Sequence, residues 1–125
     1  MLIQSRIRMA VVDDDEAVRD ALAALIETYG FDVRTFSSGA DFLEGHAAEP
    51  VHCMVIDHHM PVLTGLDVLQ TLRECGDTTP VILITGVPNS ALYAKAKSLG
   101  AAAILYKPMS MPNVALMVAV QEAAT

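Results

Sequence analysis

The sequence predicts an α/β domain in which helices cover both faces of a five-stranded parallel sheet. Three observations carry this expectation. Five short apolar runs, most of them rich in Val or Ile, recur along the 125 residues. A stretch with helical spacing follows each run, with no linker or low-complexity segment between them. Most of the runs are continuously apolar, which suits strands buried on both sides. Strands alternating with helices build a parallel sheet with crossover helices on its faces.

The runs are IRMAVV (7–12), FDVRTF (31–36), CMVI (53–56), VILI (81–84) and AAILY (102–106). FDVRTF alternates, so it belongs nearer an edge of the sheet. The first helix is expected within DEAVRDALAALIETYG, where Val18, Ala21, Leu22, Leu25, Ile26 and Tyr29 recur at helical spacing. Gly30 provides its left-handed stop. GADFLEGH is a short second helix, and GLDVLQTLREC a third with Leu66, Leu69 and Leu72 on one side. NSALYAKAKSLG opens on a capping Asn89 or Ser90 and closes at Gly100. SMPNVALMVAVQEAA opens on Ser110, with Pro112 near its first turn.

Composition narrows the function. A chain of 125 residues suits one domain, here 1–125. At 53% hydrophobic it has enough apolar surface to fold. No apolar run approaches a membrane span, and MLIQSRIRMA lacks the features of a signal peptide. Cys53 and Cys75 form no metal or disulfide pattern and read as ordinary reduced thiols. A cytoplasmic protein is expected. The net charge of -7 and eight scattered basic residues speak against nucleic-acid binding by this domain.

Open α/β sheets place their sites outside the carboxyl ends of the strands. Four strands end there in chemically capable residues: Asp13, Asp14 and Asp15 after the first, Asp57 after the third, Thr85 after the fourth and Lys107 after the fifth. The second runs only into the turn SSG. Clustered carboxylates raise one another's pKa unless a cation offsets them. Hard oxygen ligands, few in number and with room for water, suit Mg2+. Beside such an ion, Asp57 would serve as the nucleophile that takes up a phosphoryl group. Lys107 would add a fixed positive charge, Thr85 a hydroxyl for a phosphate oxygen, and Gly86 the space for that oxygen. Asp15 and Glu16 read as the cap of the first helix. His58 and His59, adjacent on a loop, read as exposed neighbours of the site rather than ligands of a transition metal.

The ordered set resembles the receiver domain of two-component response regulators. It comprises the acidic pair after strand one, the DxxMPxxxG segment (Asp57, Met60, Pro61, Gly65), TG and KP. The resemblance runs over about residues 7–122 and is greatest to the subgroup joined to helix-turn-helix output domains. It implies the flavodoxin-like (βα)5 doubly wound fold with strand order 2-1-3-4-5. It implies Asp57 as phosphoacceptor, Asp14 as direct Mg2+ ligand and Asp13 as a ligand through water. His59 would give the metal its backbone carbonyl, Thr85 would be the switch hydroxyl and Lys107 the phosphate-pairing lysine. The Lys107–Pro108 bond would be cis. The phosphodonor would be a sensor histidine kinase or phosphotransfer protein. The receiver would then regulate a partner or an attached output domain, with pairing to a second copy once phosphorylated as a further expectation. It would be a self-phosphorylating and self-dephosphorylating switch, not an enzyme with a separate substrate. Ile104 stands where the family carries an aromatic residue, His59 and Val87 where it tunes phosphate lifetime, and Met109 where phenylalanine often follows KP.

Two other classes share some of these features. A Mg2+-dependent phosphatase of the haloacid dehalogenase type is the alternative, with Asp13-x-Asp15 as its nucleophile motif, Asp13 attacking, and Thr85 and Lys107 in compatible order. It lacks the later acidic pair, since only MSMPNVALMV follows the lysine region, and it leaves Asp57 without a role. A flavin mononucleotide carrier needs a hydroxyl- and glycine-rich loop after strand one, where three aspartates would repel phosphate.

Overall fold

The computed structural model describes residues 7–107 together with Val120, Glu122 and Ala123. Along the chain run β1 (Arg8–Val12), α1 (Glu16–Glu27), β2 (Asp32–Phe36), α2 (Gly39–Ala48), β3 (Cys53–Asp57), α3 (Gly65–Glu74), β4 (Val81–Thr85), α4 (Ser90–Ser98) and β5 (Ala103–Tyr106). All strand pairings are parallel, and the sheet order is β2-β1-β3-β4-β5. This is the doubly wound flavodoxin-like order that the sequence implied. The expected fifth helix at 110–124 lies almost wholly outside the described residues, as do Pro108 and Met109.

The helices begin where local chemistry satisfies their free N–H groups. Asp15 accepts from the backbone N–H of Ala17 and Val18, Ser38 from Asp41, and Asn89 from Ala91 and Leu92. Thr64 and Asp67 form a reciprocal capping box at the start of α3. After α1, Gly30 adopts φ +91° and ends the turn.

Period-2 alternation divides the core between the two faces of the sheet. Ala10, Val12, Met54, Ile56, Val81 and Leu83 point to one face, against Phe42 of α2, Val68, Leu69 and Leu72 of α3, and Ala96 of α4. Met9, Val11, Cys53, Val55, Ile82 and Ile84 point to the other, against Ile26 of α1 and Val120. The central strands β3 and β4 are buried throughout, whereas β2 alternates between half-buried and exposed at the edge. Full burial of each large apolar side chain contributes roughly 1.5–3 kcal/mol. The polar residues gather at the carboxyl ends of these buried strands β1, β3 and β4.

Candidate functional site

Register aligns the strand ends. Val12 pairs with Ile56 and Asp57 with Ile84, so Asp13 and Asp57 leave β1 and β3 side by side. The ladder continues into the loops: Asp13 N–H donates to Phe36 O (3.1 Å), His58 N–H to Ile84 O (2.8 Å) and Lys107 N–H to Thr85 O (2.9 Å). The site residues are therefore tied to the sheet by backbone hydrogen bonds.

The carboxylates of Asp13, Asp14 and Asp57 converge, each offering an oxygen within 4.8 Å of the others. Asp13 and Asp57 are buried, at 2% and 4% exposure, while Asp14 is exposed. The Lys107 ammonium sits 3.0 Å from Asp57 Oδ2. The other oxygen, Oδ1, accepts the backbone N–H of His59 at 3.0 Å. Asp13 Oδ1 accepts the Asp15 N–H at 2.9 Å, and the Arg19 guanidinium donates to the Asp13 carbonyl at 2.8 Å. Burial pushes the Asp13 carboxyl above its usual pKa; the Asp15 N–H opposes this, the Asp57 charge adds to it, Lys107 opposes it and Asp14 adds again.

Thr85 is buried at 1% exposure, and its Oγ1 lies 2.9 Å from His59 Nε2. Val87 offers it only longer contacts, at 3.5 Å to N and to O. A Cβ on Gly86 would meet the His59 ring and Lys107 Cδ at 3.9 Å, an ordinary contact, so this loop keeps the open space expected there. Gly65 is different: a Cβ would lie 2.8 Å from Asp57 O and 2.9 Å from His58 Cα. Val62, in the same loop, holds φ +68° and is 97% exposed.

Asp13, Asp14, Asp57 and Lys107 thus come together at one strand-end cluster, Thr85 contacts the His59 ring beside it, and Asp15 caps α1. His59 is exposed, whereas His58 is half-buried, its Nδ1 accepting from Leu66 N–H at 3.3 Å. Three contacts were not foreseen from the sequence: His59 to Thr85, Arg19 to the Asp13 carbonyl, and the crowding at Gly65. Of these, only the glycine in the DxxMPxxxG spacing offered a hint.

The donor set fits a hard divalent cation. Three carboxylate oxygens lie close together, two from buried residues, and the exposed Asp14 leaves one side open to water.

A response regulator receiver domain model matches residues 9–119. The chain belongs to this family. The tetrathionate response regulatory protein TtrR of Salmonella typhimurium is 38% identical over 101 residues, covering 81% of this chain and 49% of that protein. The transcriptional regulatory protein FixJ of Azorhizobium caulinodans is 41% identical over 98 residues, covering 78% of this chain and 46% of that protein. The receiver domain therefore spans about half the length of these relatives. The FixJ-N crystal structure superposes with a TM-score of 0.85 at 27% identity, covering 97% of this chain and 95% of that one. The chain is a receiver domain of two-component signal transduction, a signalling switch. The phosphatase alternative is not supported: the family match is to receivers, and Lys107 pairs with Asp57 rather than with Asp13. Among the described residues no helix is long and apolar enough to cross a membrane.

Proposed function

We propose that Asp57 is the phosphoacceptor of this receiver domain. The observation that carries the reading is the geometry around its carboxylate: one oxygen faces Lys107 at 3.0 Å, and two further carboxylates lie within 4.8 Å. Asp13, Asp14, Asp57 and the backbone carbonyl of His59 would hold Mg2+, which when bound offsets the charge of the incoming phosphoryl oxygens.

The reaction breaks the N–P bond of a phosphohistidine and forms an O–P bond to Asp57, giving an acyl phosphate and a neutral imidazole. Lys107 remains as the fixed cation beside the transferred group. Thr85 supplies a hydroxyl to a phosphoryl oxygen. Water later cleaves the O–P bond, returning the carboxylate and releasing inorganic phosphate. The acceptor is regenerated with no separate substrate turned over, so the domain works as a switch rather than as a conventional enzyme.

The donor is a sensor histidine kinase or a phosphotransfer protein. Phosphorylation shifts the population between two arrangements of the β4–α4 loop and the α4–β5 face. The single receiver domain spans 1–125 and acts in the cytoplasm, without itself binding nucleic acid. It passes its state to a partner, to an output domain or to a second copy of itself. The matches to regulators about twice the length of the matched segment support the output-domain route.

The test is labelling by a small phosphodonor such as phosphoramidate, with and without Mg2+. Mg2+-dependent incorporation that disappears in Asp57→Asn is expected. Undiminished labelling of that variant overturns the assignment.

A further inference from the structure

We infer that the His59 imidazole is a latch on the Thr85 hydroxyl, a positioning residue that opposes the phosphorylated arrangement. The inference rests on the reading of Asp57 as phosphoacceptor and adds a residue-level account of what resists the switch. His59 leaves β3 two residues after Asp57, and its backbone N–H holds Asp57 Oδ1 at 3.0 Å. Its side chain then spans to β4, placing Nε2 2.9 Å from Thr85 Oγ1. One residue thus binds the acceptor through its backbone and the switch hydroxyl through its ring.

Thr85 is 1% exposed, and its remaining contacts, to Val87, are at 3.5 Å. His59 is therefore its main partner among the described residues. A hydroxyl has one proton to donate. If the imidazole accepts that proton, it is not available to a phosphoryl oxygen. If the imidazole donates instead, the bond still holds Oγ1 beside the ring and is lost when Thr85 turns towards Asp57. A buried hydroxyl that loses its partner pays a desolvation penalty until it finds another. Without His59, the best replacement acceptor would be the phosphoryl group itself.

β5 supplies no comparable gate. Ile104 pairs with Leu83 and packs against the α2–α4 core cluster, so its aliphatic side chain is held by the core and has no hydroxyl or ring nitrogen to offer Thr85. His59, by contrast, lies at the surface and outside the core clusters.

The experiment measures beryllofluoride affinity in the presence of Mg2+ for the full chain and for His59→Phe, His59→Gln, Thr85→Ala and His59→Phe/Thr85→Ala. Beryllofluoride mimics a phosphoryl group on the acceptor carboxylate. His59→Phe keeps a ring over Gly86 and removes the hydrogen bond, so it should tighten binding by about fivefold, the worth of one net hydrogen bond. His59→Gln restores a polar group of similar reach and should return affinity towards that of the unmodified chain. In the Thr85→Ala background, His59→Phe should change nothing. Unchanged or weaker binding by His59→Phe, or an equal effect with and without Thr85, overturns the latch. If the unmodified chain binds no beryllofluoride with Mg2+, the acceptor assignment itself fails, and the two failures are told apart by that first measurement.

Discussion

Gly65→Ala tests whether the acceptor loop is built as tightly as its geometry states. Gly65 is the first residue of α3, where alanine would otherwise be favoured by up to about 1 kcal/mol. Its added Cβ would lie 2.6 Å from Leu83 Cδ1, 2.8 Å from Asp57 O and 2.9 Å from His58 Cα. The leucine methyl belongs to a side chain that can shift, but the other two are backbone atoms of the acceptor strand and its loop. Relief therefore requires α3 to move away from β3. Overpacking of this kind destabilises by roughly 1–3 kcal/mol, and the helix preference offsets only part of it. A net loss of about 1 kcal/mol is expected, which lowers Tm by roughly 3–5 °C in a domain of this size. Urea unfolding followed by circular dichroism at 25 °C measures it, and the displaced Asp57 backbone should also weaken Mg2+ binding. Two control glycines separate crowding from backbone conformation. Gly76 has nothing within 4 Å but holds φ +79°, so Gly76→Ala should cost about 1 kcal/mol through the left-handed conformation alone. Gly86 has only 3.9 Å contacts and no positive φ, so Gly86→Ala should stay within about 0.5 kcal/mol. A Gly65→Ala variant as stable as the unmodified chain, or less affected than Gly86→Ala, refutes the reasoning.

Three further outcomes are expected. Asp77 bonds His46 at 2.7 Å and receives the Thr79 hydroxyl and N–H at 2.6 and 2.8 Å. Burial works to raise its pKa, but these hydrogen bonds outweigh it and the net value is lowered from 3.8. Its contribution is therefore complete above that unfolded value and fades as pH falls through the lower folded one. Asp77→Asn should lose on the order of 1–2 kcal/mol at pH 7 and show a shallower acid limb in unfolding scans below about pH 4. Val62 is a β-branched residue at φ +68° with almost nothing packed on it, so Val62→Gly should stabilise by about 1 kcal/mol in urea unfolding. Cys75 is exposed, whereas burial pushes the Cys53 thiol up to about 12. A thiol reagent at pH 8 should consume one equivalent from the folded chain and the second only on unfolding.

Much of the site was legible because it lies at ends of strands. The change from VV to DDD, from VI to D and from LI to TG marks where an apolar run leaves the sheet, and parallel register does the rest. The alternation in FDVRTF likewise foretold the edge strand. What stayed hidden depends on rotamers and loop paths rather than on spacing. Nothing in HHMP says that the second ring reaches Thr85 while the first accepts from α3. Nor does anything say that Arg19, in the first turn of α1, returns to the Asp13 carbonyl. Val62 was hidden for another reason: a left-handed position normally advertises itself with Gly, Asn or Asp, and here a valine fills it. The pairing of His46 with Asp77 joins residues 31 apart at the opposite end of the sheet from the site, and neither residue sits in a recognisable pattern.

The site is crowded with carboxylates, and on the proposed reading its donors are already committed before phosphorylation. Asp57 has one oxygen committed to Lys107 and the other to the His59 N–H, while the Thr85 hydroxyl is committed to the His59 ring. Adding a phosphoryl group replaces one negative charge by roughly two and brings three new acceptor oxygens into the same space. The fold beneath is tightly packed: β3 and β4 are buried throughout, and Gly65 packs close against Asp57. The donors must therefore be redistributed among side chains and loops above the sheet. Lys107 can follow the new charge on its flexible stem, but Thr85 can do so only by giving up His59. On the proposed reading the rearrangement is thus directed into the β4–α4 loop, which begins where the Thr85 side chain bonds the His59 ring.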